Sequence, residues 1–368
     1  MRVPFLELAP SIAEVRSELD AAHARVLDRG WVLLGPELEA FEQAWSKWLD
    51  VKHTIGVANG LDALRLSLVA CGVGHGDEVI VPSNTYIATW LAVSEIGARP
   101  VPVEPDELTC TIDINRIEAA ITPKTKAIMP VHLYGQSADL DPILSIANKH
   151  GLAVVEDAAQ AHGATYRGRK IGSHGNAIGW SFYPTKNLGA LADAGAVTTN
   201  DDTLADRLRV SRNYGQRRRY VCETQGWNSR LDELNAAYLQ VKLSYLDEWN
   251  QRRSVLAKNY MNELSGCGLQ LPTIDSRNEH VWHLFVVRHP QRDRLQKALE
   301  SEGIGTICHY PIPPHRQEAY SNLGYQPGDF PITERIHETC FSLPLHPHLT
   351  ADQQNHVISA IKNHMTEA

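Results

Sequence analysis

The sequence predicts an α/β fold: a mostly parallel sheet flanked by helices, followed by a smaller α+β unit. Three observations point there. Short apolar runs recur at 54–57, 78–81, 99–103, 127–131, 152–156, 177–182 and 195–199, and the run at 152–156 has no polar alternation, as expected of a strand covered on both faces. Amphipathic stretches separate most of these runs, and strands that alternate with helices build parallel sheets. From about residue 230 the pattern changes to a long helical stretch, 230–264, and then to shorter mixed elements. Seven strands thus fall in a large unit, 1–240, and the remainder in a small C-terminal unit, 241–368, with the long helical stretch bridging the two.

The elements follow in order. Ser11-Ile-Ala-Glu14 reads as a capping box opening a helix with Ile12, Val15, Leu19, Ala22 and Val26 at helical spacing, stopped by Gly30. Gly35-Pro36 opens a second helix with Leu38, Phe41, Trp45 and Trp48 on one face. The run 54–57 leads through Asn59-Gly60-Leu61 into a helix carrying Leu61, Leu64 and Leu68. Helices are expected at 85–96, 114–121, 140–149 and 204–212, a loop at 213–228, a strand at 280–288, a helix at 292–302, a strand at 306–310 and a final helix from Ala351. No internal repeat is present.

Composition narrows the function. The 368 residues are 43% hydrophobic and 21% charged, ordinary for a globular protein. A net charge of −8 argues against nucleic-acid or general membrane partners. No apolar run approaches the roughly 18 residues of a membrane span, and the N-terminal MRVPFLELAPS lacks the apolar core of a signal peptide. The six cysteines are scattered with no CxxC, which disfavours disulfides or a metal centre and favours a cytoplasmic protein.

Ligands of such sheets gather beyond the carboxyl ends of the strands. Asn59, Tyr86, Asp157 and Lys186 all follow predicted strands, so they can converge. Alone, Lys186 reads either as a surface lysine on a tight turn or as an amine set close to a ligand. The turn at Asn59 reads either as a tight strand-to-helix connection or as an anion site, since first-turn amides and the helix dipole both favour phosphate. Together the groups match the needs of pyridoxal phosphate. Its aldehyde takes a lysine amine, Lys186, and its ring nitrogen takes an anion, Asp157. Its flat ring takes an aromatic face, Tyr86, and its phosphate takes N–H and hydroxyl donors from the Asn59 turn and Ser181. Gly189 and Gly195 let the backbone bend closely around the ring. Arg217, Arg218 and Arg219 read as a solvated charge run or as receivers of a diphosphate.

The segments EDAAQAHGA (156–164), SFYPTKNLGA (181–190) with DAGAV (193–197), and NSRLDELNAAYL (228–239) resemble the sugar-nucleotide aminotransferases, a branch of the aspartate-aminotransferase fold. The resemblance covers nearly the whole chain. NTYIATW, FYPTKNLGAL and VHLYGQ are most similar to members acting on dTDP-3-oxo-6-deoxyhexoses. The resemblance implies that Lys186 holds the cofactor and shuttles a proton, that Asp157 pairs with the ring nitrogen, and that Gln160 lies beside the ring's phenolic oxygen. It implies Tyr86 on the ring face, Gly60, Leu61 and Ser181 at the phosphate, and Asn228 reaching that phosphate from a second subunit of a homodimer. Tyr183, His309 and Tyr310 would meet the dTDP-linked keto sugar, with Arg219 crossing from the partner subunit. His309 by itself reads as a loop histidine; the HYPIPPH context brings it to the site, and His162 is similarly placed. L-glutamate would donate the amine in a ping-pong reaction.

Three positions depart from the family pattern: Leu61 where many relatives have Thr, Ala192 where Gly is common, and Asn235 where Gln is usual. Ala192 would be strained if that position required positive φ. Two rival readings remain, a 4-aminotransferase of the same family and a catalytically silent sugar-nucleotide-binding regulator.

Overall fold

The computed structural model describes residues 1–366. Its centre is a seven-stranded sheet in the order His53–Val57, Gly195–Thr199, Ala177–Ser181, Ala153–Asp157, Thr125–Ile128, Glu78–Pro82, Arg99–Val103. From Ala177–Ser181 outward to Arg99–Val103 the neighbours are parallel. Gly195–Thr199 runs antiparallel to both of its neighbours. The register sets Asp157 opposite Gly179, at the carboxyl ends of adjacent parallel strands.

Side-chain alternation explains how helices cover both faces. Successive residues of a strand point to opposite sides. Ile80, Ile128 and Val154 pack with Ile143 and Ala147 of the helix Leu140–His150. Their chain neighbours Val79, Val81, Ala127 and Val155 pack instead with Leu64 and Leu68 of Gly60–Ala70 and Trp90 of Ile87–Ser94. Full burial of each aliphatic side chain stabilises the fold by about 1.5–3 kcal/mol, so both faces are held by strong, non-interchangeable contacts. Nearer the other edge, Ile178, Trp180 and Ala196 face Leu38, Phe41 and Trp45 of the helix Pro36–Leu49.

A second core gathers Tyr260, Phe285, Val287, Phe341, Leu343 and Ile361, and draws in Val3, which bridges to Ile304. Phe285–Arg288 pairs antiparallel with Cys340–Leu343 here. We propose that the unit built on this core begins at the break between the helices Glu233–Leu243 and Leu246–Glu263, a few residues beyond the expected 240/241.

Several elements differ from expectation. The capping box at Ser11 does not form. The helix begins earlier, at Ala9–Glu14, with Pro10 in its first turn, where proline is favoured. Ser11 Oγ donates to the Leu8 carbonyl instead, and Glu14 is engaged by Trp249, Arg252 and His348. The helix resumes as Arg16–Arg29 and ends at Gly30 in the left-handed region (φ 66°), as expected. The stretch 230–264 is two helices, Glu233–Leu243 and Leu246–Glu263. The loop 213–228 contains a small hairpin, Gln216–Arg218 with Val221–Cys222; both of its faces are largely polar, so no alternation reveals it. The expected strand 306–310 reduces to one bridge, Ile307 to Ser342. The helix Pro331–Thr339 and its following strand were not foreseen. Among the described residues no helix is long and apolar enough to cross a membrane, and no cluster of His, Cys, Asp or Glu has the makings of a metal site.

Candidate active site

The site begins where His53–Val57 gives way to Gly60–Ala70. Asn59 holds extended backbone and its side chain accepts the Asp62 N–H at 2.8 Å, capping the helix. The amides of Gly60 and Leu61 are first-turn donors, which a helix cannot pair internally. A Cβ on Gly60 would lie 2.6 Å from the Ser181 Cβ. Only glycine lets this helix start press against the end of Ala177–Ser181. The result is a cradle of backbone N–H groups, a hydroxyl and a helix dipole, suited to a phosphate. Gly195 serves the same closeness from the other side: a Cβ there would fall 2.4 Å from Asn59 backbone atoms. Leu61 contributes no hydroxyl.

Asp157 ends its strand at 6% exposure. Its carboxylate accepts a hydrogen bond from Thr89 Oγ1 at 2.8 Å and from the Ala159 N–H at 3.1 Å. Thr89 has spent its proton on Asp157, so Thr85, 2.8 Å away, donates to Thr89 in turn. Burial raises the Asp157 pKa, opposed by Thr89, by Ala159 and by the charge of Lys186. Lys186 sits in the turn after Ala177–Ser181, its N–H bonded to the Tyr183 carbonyl at 2.8 Å. Burial pushes its pKa down to about 8, against the raising influence of Asp157. One acid is held back from ionising and one amine from protonating, and each senses the other.

Across from them, Gln160 is fixed at both ends. Its Oε1 accepts the Tyr134 N–H at 2.6 Å and its Nε2 donates to the Tyr310 hydroxyl at 2.9 Å. Tyr134 in turn donates its hydroxyl to the His309 carbonyl at 2.6 Å. The Tyr86 and Tyr310 rings lie 5.0 Å apart, and Tyr86 is half exposed. His309 Nδ1 lies 2.8 Å from Ser342 Oγ, and burial with the nearby Lys186 charge holds its pKa at about 4. It is therefore neutral at pH 7.

Asp157, Lys186, Gln160, Tyr310 and His309 are thus brought together, with Gly60 against Ser181 and Tyr86 against Tyr310. Tyr183 stands exposed near Lys186. Arg219 and Asn228 belong to the exposed 213–228 segment, where Arg219 lies over the Tyr220 ring at 4.9 Å and Asn228 bridges to Asn213. None of these contacts is with the Lys186 cluster. His162 is a core residue, buried among Trp45, Trp180 and Phe182. Ala192 does not occupy the left-handed region, so it carries no strain. Asn235 accepts the Leu191 N–H at 3.1 Å and steadies the loop after Lys186.

Sequence reasoning missed Thr89, Tyr134 and Asn187. Asn187 donates to Asn250 and to the Val281 carbonyl, both at 2.8 Å, anchoring the residue beside Lys186. Thr89 carried one signal: with Thr85 it forms an i, i+4 pair of hydroxyls near a helix start, which solvent exposure would not require.

A desolvated lysine amine and a buried carboxylate that sense each other's charge, with a phosphate cradle beside them, fit a pyridoxal-phosphate-dependent enzyme. Residues 13–362 match the DegT/DnrJ/EryC1/StrS aminotransferase family, to which the chain belongs. It is 52% identical to the dTDP-3-amino-3,4,6-trideoxy-alpha-D-glucose transaminase of Streptomyces venezuelae, covering 98% of this chain and 96% of that one. It is 51% identical to the dTDP-3-amino-3,6-dideoxy-alpha-D-galactopyranose transaminase of Aneurinibacillus thermoaerophilus, over 98% and 99% of the two chains. The crystal structure of S. venezuelae DesV in complex with a ketimine intermediate superimposes with a TM-score of 0.98 at 52% identity, covering 99% of this chain and 98% of that one.

Proposed function

We propose that this protein moves an amino group from L-glutamate to the C3 keto group of a dTDP-3-oxo-6-deoxyhexose, as a homodimer with composite sites. The observation that carries the reading is Lys186, a desolvated amine beside the buried Asp157. The relatives named above support the dTDP-linked sugar and the position of the new amine.

Pyridoxal phosphate supplies an aldehyde that captures amines and a protonated ring that stabilises negative charge on the adjoining carbon. Asp157, fixed by Thr89 and Ala159, would hold the ring N–H; a buried carboxylate gains most from such a cationic partner. Gly60, Leu61 and Ser181 would hold the phosphate. Gln160, pinned by Tyr134 and Tyr310, would be the residue to meet the ring's phenolic oxygen. Tyr86, half exposed beside Tyr310, would cover the ring face.

Lys186 Nζ would move one proton in each half-reaction, from the donor's α-carbon to the cofactor carbon that has taken the amine, and then from that carbon to C3 of the sugar. At a pKa of about 8, roughly one amine in ten is neutral at pH 7, against about one in 2,500 for an ordinary lysine. Tyr183, His309 and Tyr310 bound the sugar. Arg219 and Asn228, in the exposed 213–228 segment and engaged there by Tyr220 and Asn213 rather than by the Lys186 cluster, suit a partner subunit's site. The test is incubation with glutamate and dTDP-, UDP- and GDP-linked keto sugars, with the new C–N bond located by NMR. An amine at C3 of the dTDP sugar is expected; one at C4 overturns the regiochemistry, and none overturns the reading.

A further inference from the structure

Arg253 stands on the helix Leu246–Glu263 and is 4% exposed. Its hydrogen bonds go to two neutral acceptors, the carbonyls of Trp282 at 3.3 Å and Leu345 at 3.1 Å, and its Nε has no partner. Burial alone pushes its pKa down to about 10, with no carboxylate raising it. An unpaired buried charge is costly to a fold, and proteins that keep one commonly use it.

Arg253 lines a cavity of about 300 Å³ together with Thr185, His283, Leu284, His309 and Leu345. That volume is at the lower end for small-molecule sites. None of the lining residues is acidic. The cavity adjoins the catalytic amine. Thr185 precedes Lys186 in the chain, and the Lys186 charge helps hold the pKa of both His283 and His309 down. The two histidines are neutral at pH 7, so Arg253 is the fixed cation of this wall, and the remainder is apolar or weakly polar.

We propose that this cavity seats the amino donor, with the Arg253 guanidinium receiving one of its carboxylates and the Thr185 hydroxyl assisting. The proposal deepens the function given above and rests on it. A guanidinium presents paired N–H donors to a carboxylate, which a lysine in its place would not. The diphosphate of the nucleotide sugar has other cations to meet, the exposed arginines Arg217, Arg218 and Arg219 of the 213–228 segment.

The test uses the holoenzyme and titration calorimetry with two unreactive probes: glutarate, a dicarboxylate without an amine, and thymidine diphosphate. Arg253→Met is expected to weaken glutarate at least tenfold and to leave thymidine diphosphate within twofold. Arg253→Lys retains charge without the planar fork and should weaken glutarate at least threefold; with Thr185→Val it carries the test if Arg253→Met does not fold. Glutarate affinity unchanged in these variants, lost together with thymidine diphosphate, or absent from the wild type overturns the proposal. A wild type that binds glutarate but neither thymidine diphosphate nor any sugar nucleotide leaves the carboxylate site standing and overturns the proposed sugar substrate instead.

Discussion

Replacing Asp157 by asparagine should make the cofactor-free protein more stable and the loaded protein weaker. Asp157 is a buried carboxylate whose pKa burial has raised. A group with a raised folded pKa stabilises the fold fully only below its unfolded value, near pH 4, and that contribution is lost as pH rises through the folded value. At pH 8 the ionised side chain therefore costs the apoprotein stability. Asparagine keeps the shape and can still accept the Ala159 N–H. The hydroxyls of Thr89 and Thr85 can reorient to accept its amide. The expected gain is about 1–2 kcal/mol, the scale of relieving a poorly compensated buried polar group. For a chain this long that corresponds to roughly 2 °C in Tm. Thermal unfolding of the cofactor-free proteins at pH 5 and pH 8 measures it, and the advantage should be larger at pH 8. Cofactor affinity should fall about 10- to 100-fold, since a charge-assisted hydrogen bond contributes about 1.5–3 kcal/mol. A variant no more stable than wild type at pH 8, or one that retains the cofactor equally well, refutes the reasoning.

Lys186→Ala should abolish turnover and the visible absorption band of the lysine–cofactor linkage; survival of either removes Lys186 from its role. Gly60→Ala should weaken cofactor binding at least tenfold, because its Cβ would meet the Ser181 Cβ at 2.6 Å, and should lower apoprotein stability by about 1–3 kcal/mol, the cost of overpacking. Unaltered cofactor titration would mean the cradle is not where the phosphate binds. Arg219→Ala should raise KM for the sugar nucleotide while leaving the single-turnover reaction with glutamate within twofold. An unchanged KM would free that arginine from the substrate.

The strands were legible because two-faced burial writes itself as short apolar runs, and 153–157 and 195–199 appeared within a residue of where they were read. Lys186 and Asp157 were legible because polar groups at the ends of buried strands lack a structural excuse. The hairpin at 213–228 and the strand Cys340–Leu343 escaped, the first for want of alternation and the second because four residues give too short a period to read. At Ser11 a good local signal lost to a better arrangement: Glu14 found three partners from distant segments, and proline fixed an earlier start.

By itself, the sequence determined the α/β alternation, the amine, the carboxylate and the phosphate turn, since each depends on a handful of neighbouring residues. The tertiary structure alone decided what surrounds them. Thr89 reaches Asp157 across 68 positions, and Tyr134 reaches His309 across 175. Arg253 acquires its meaning only where its helix meets the carbonyls of Trp282 and Leu345. Periodicity records whether a residue is buried; which distant residue it is buried against follows from strand order and helix packing, which no local spacing encodes.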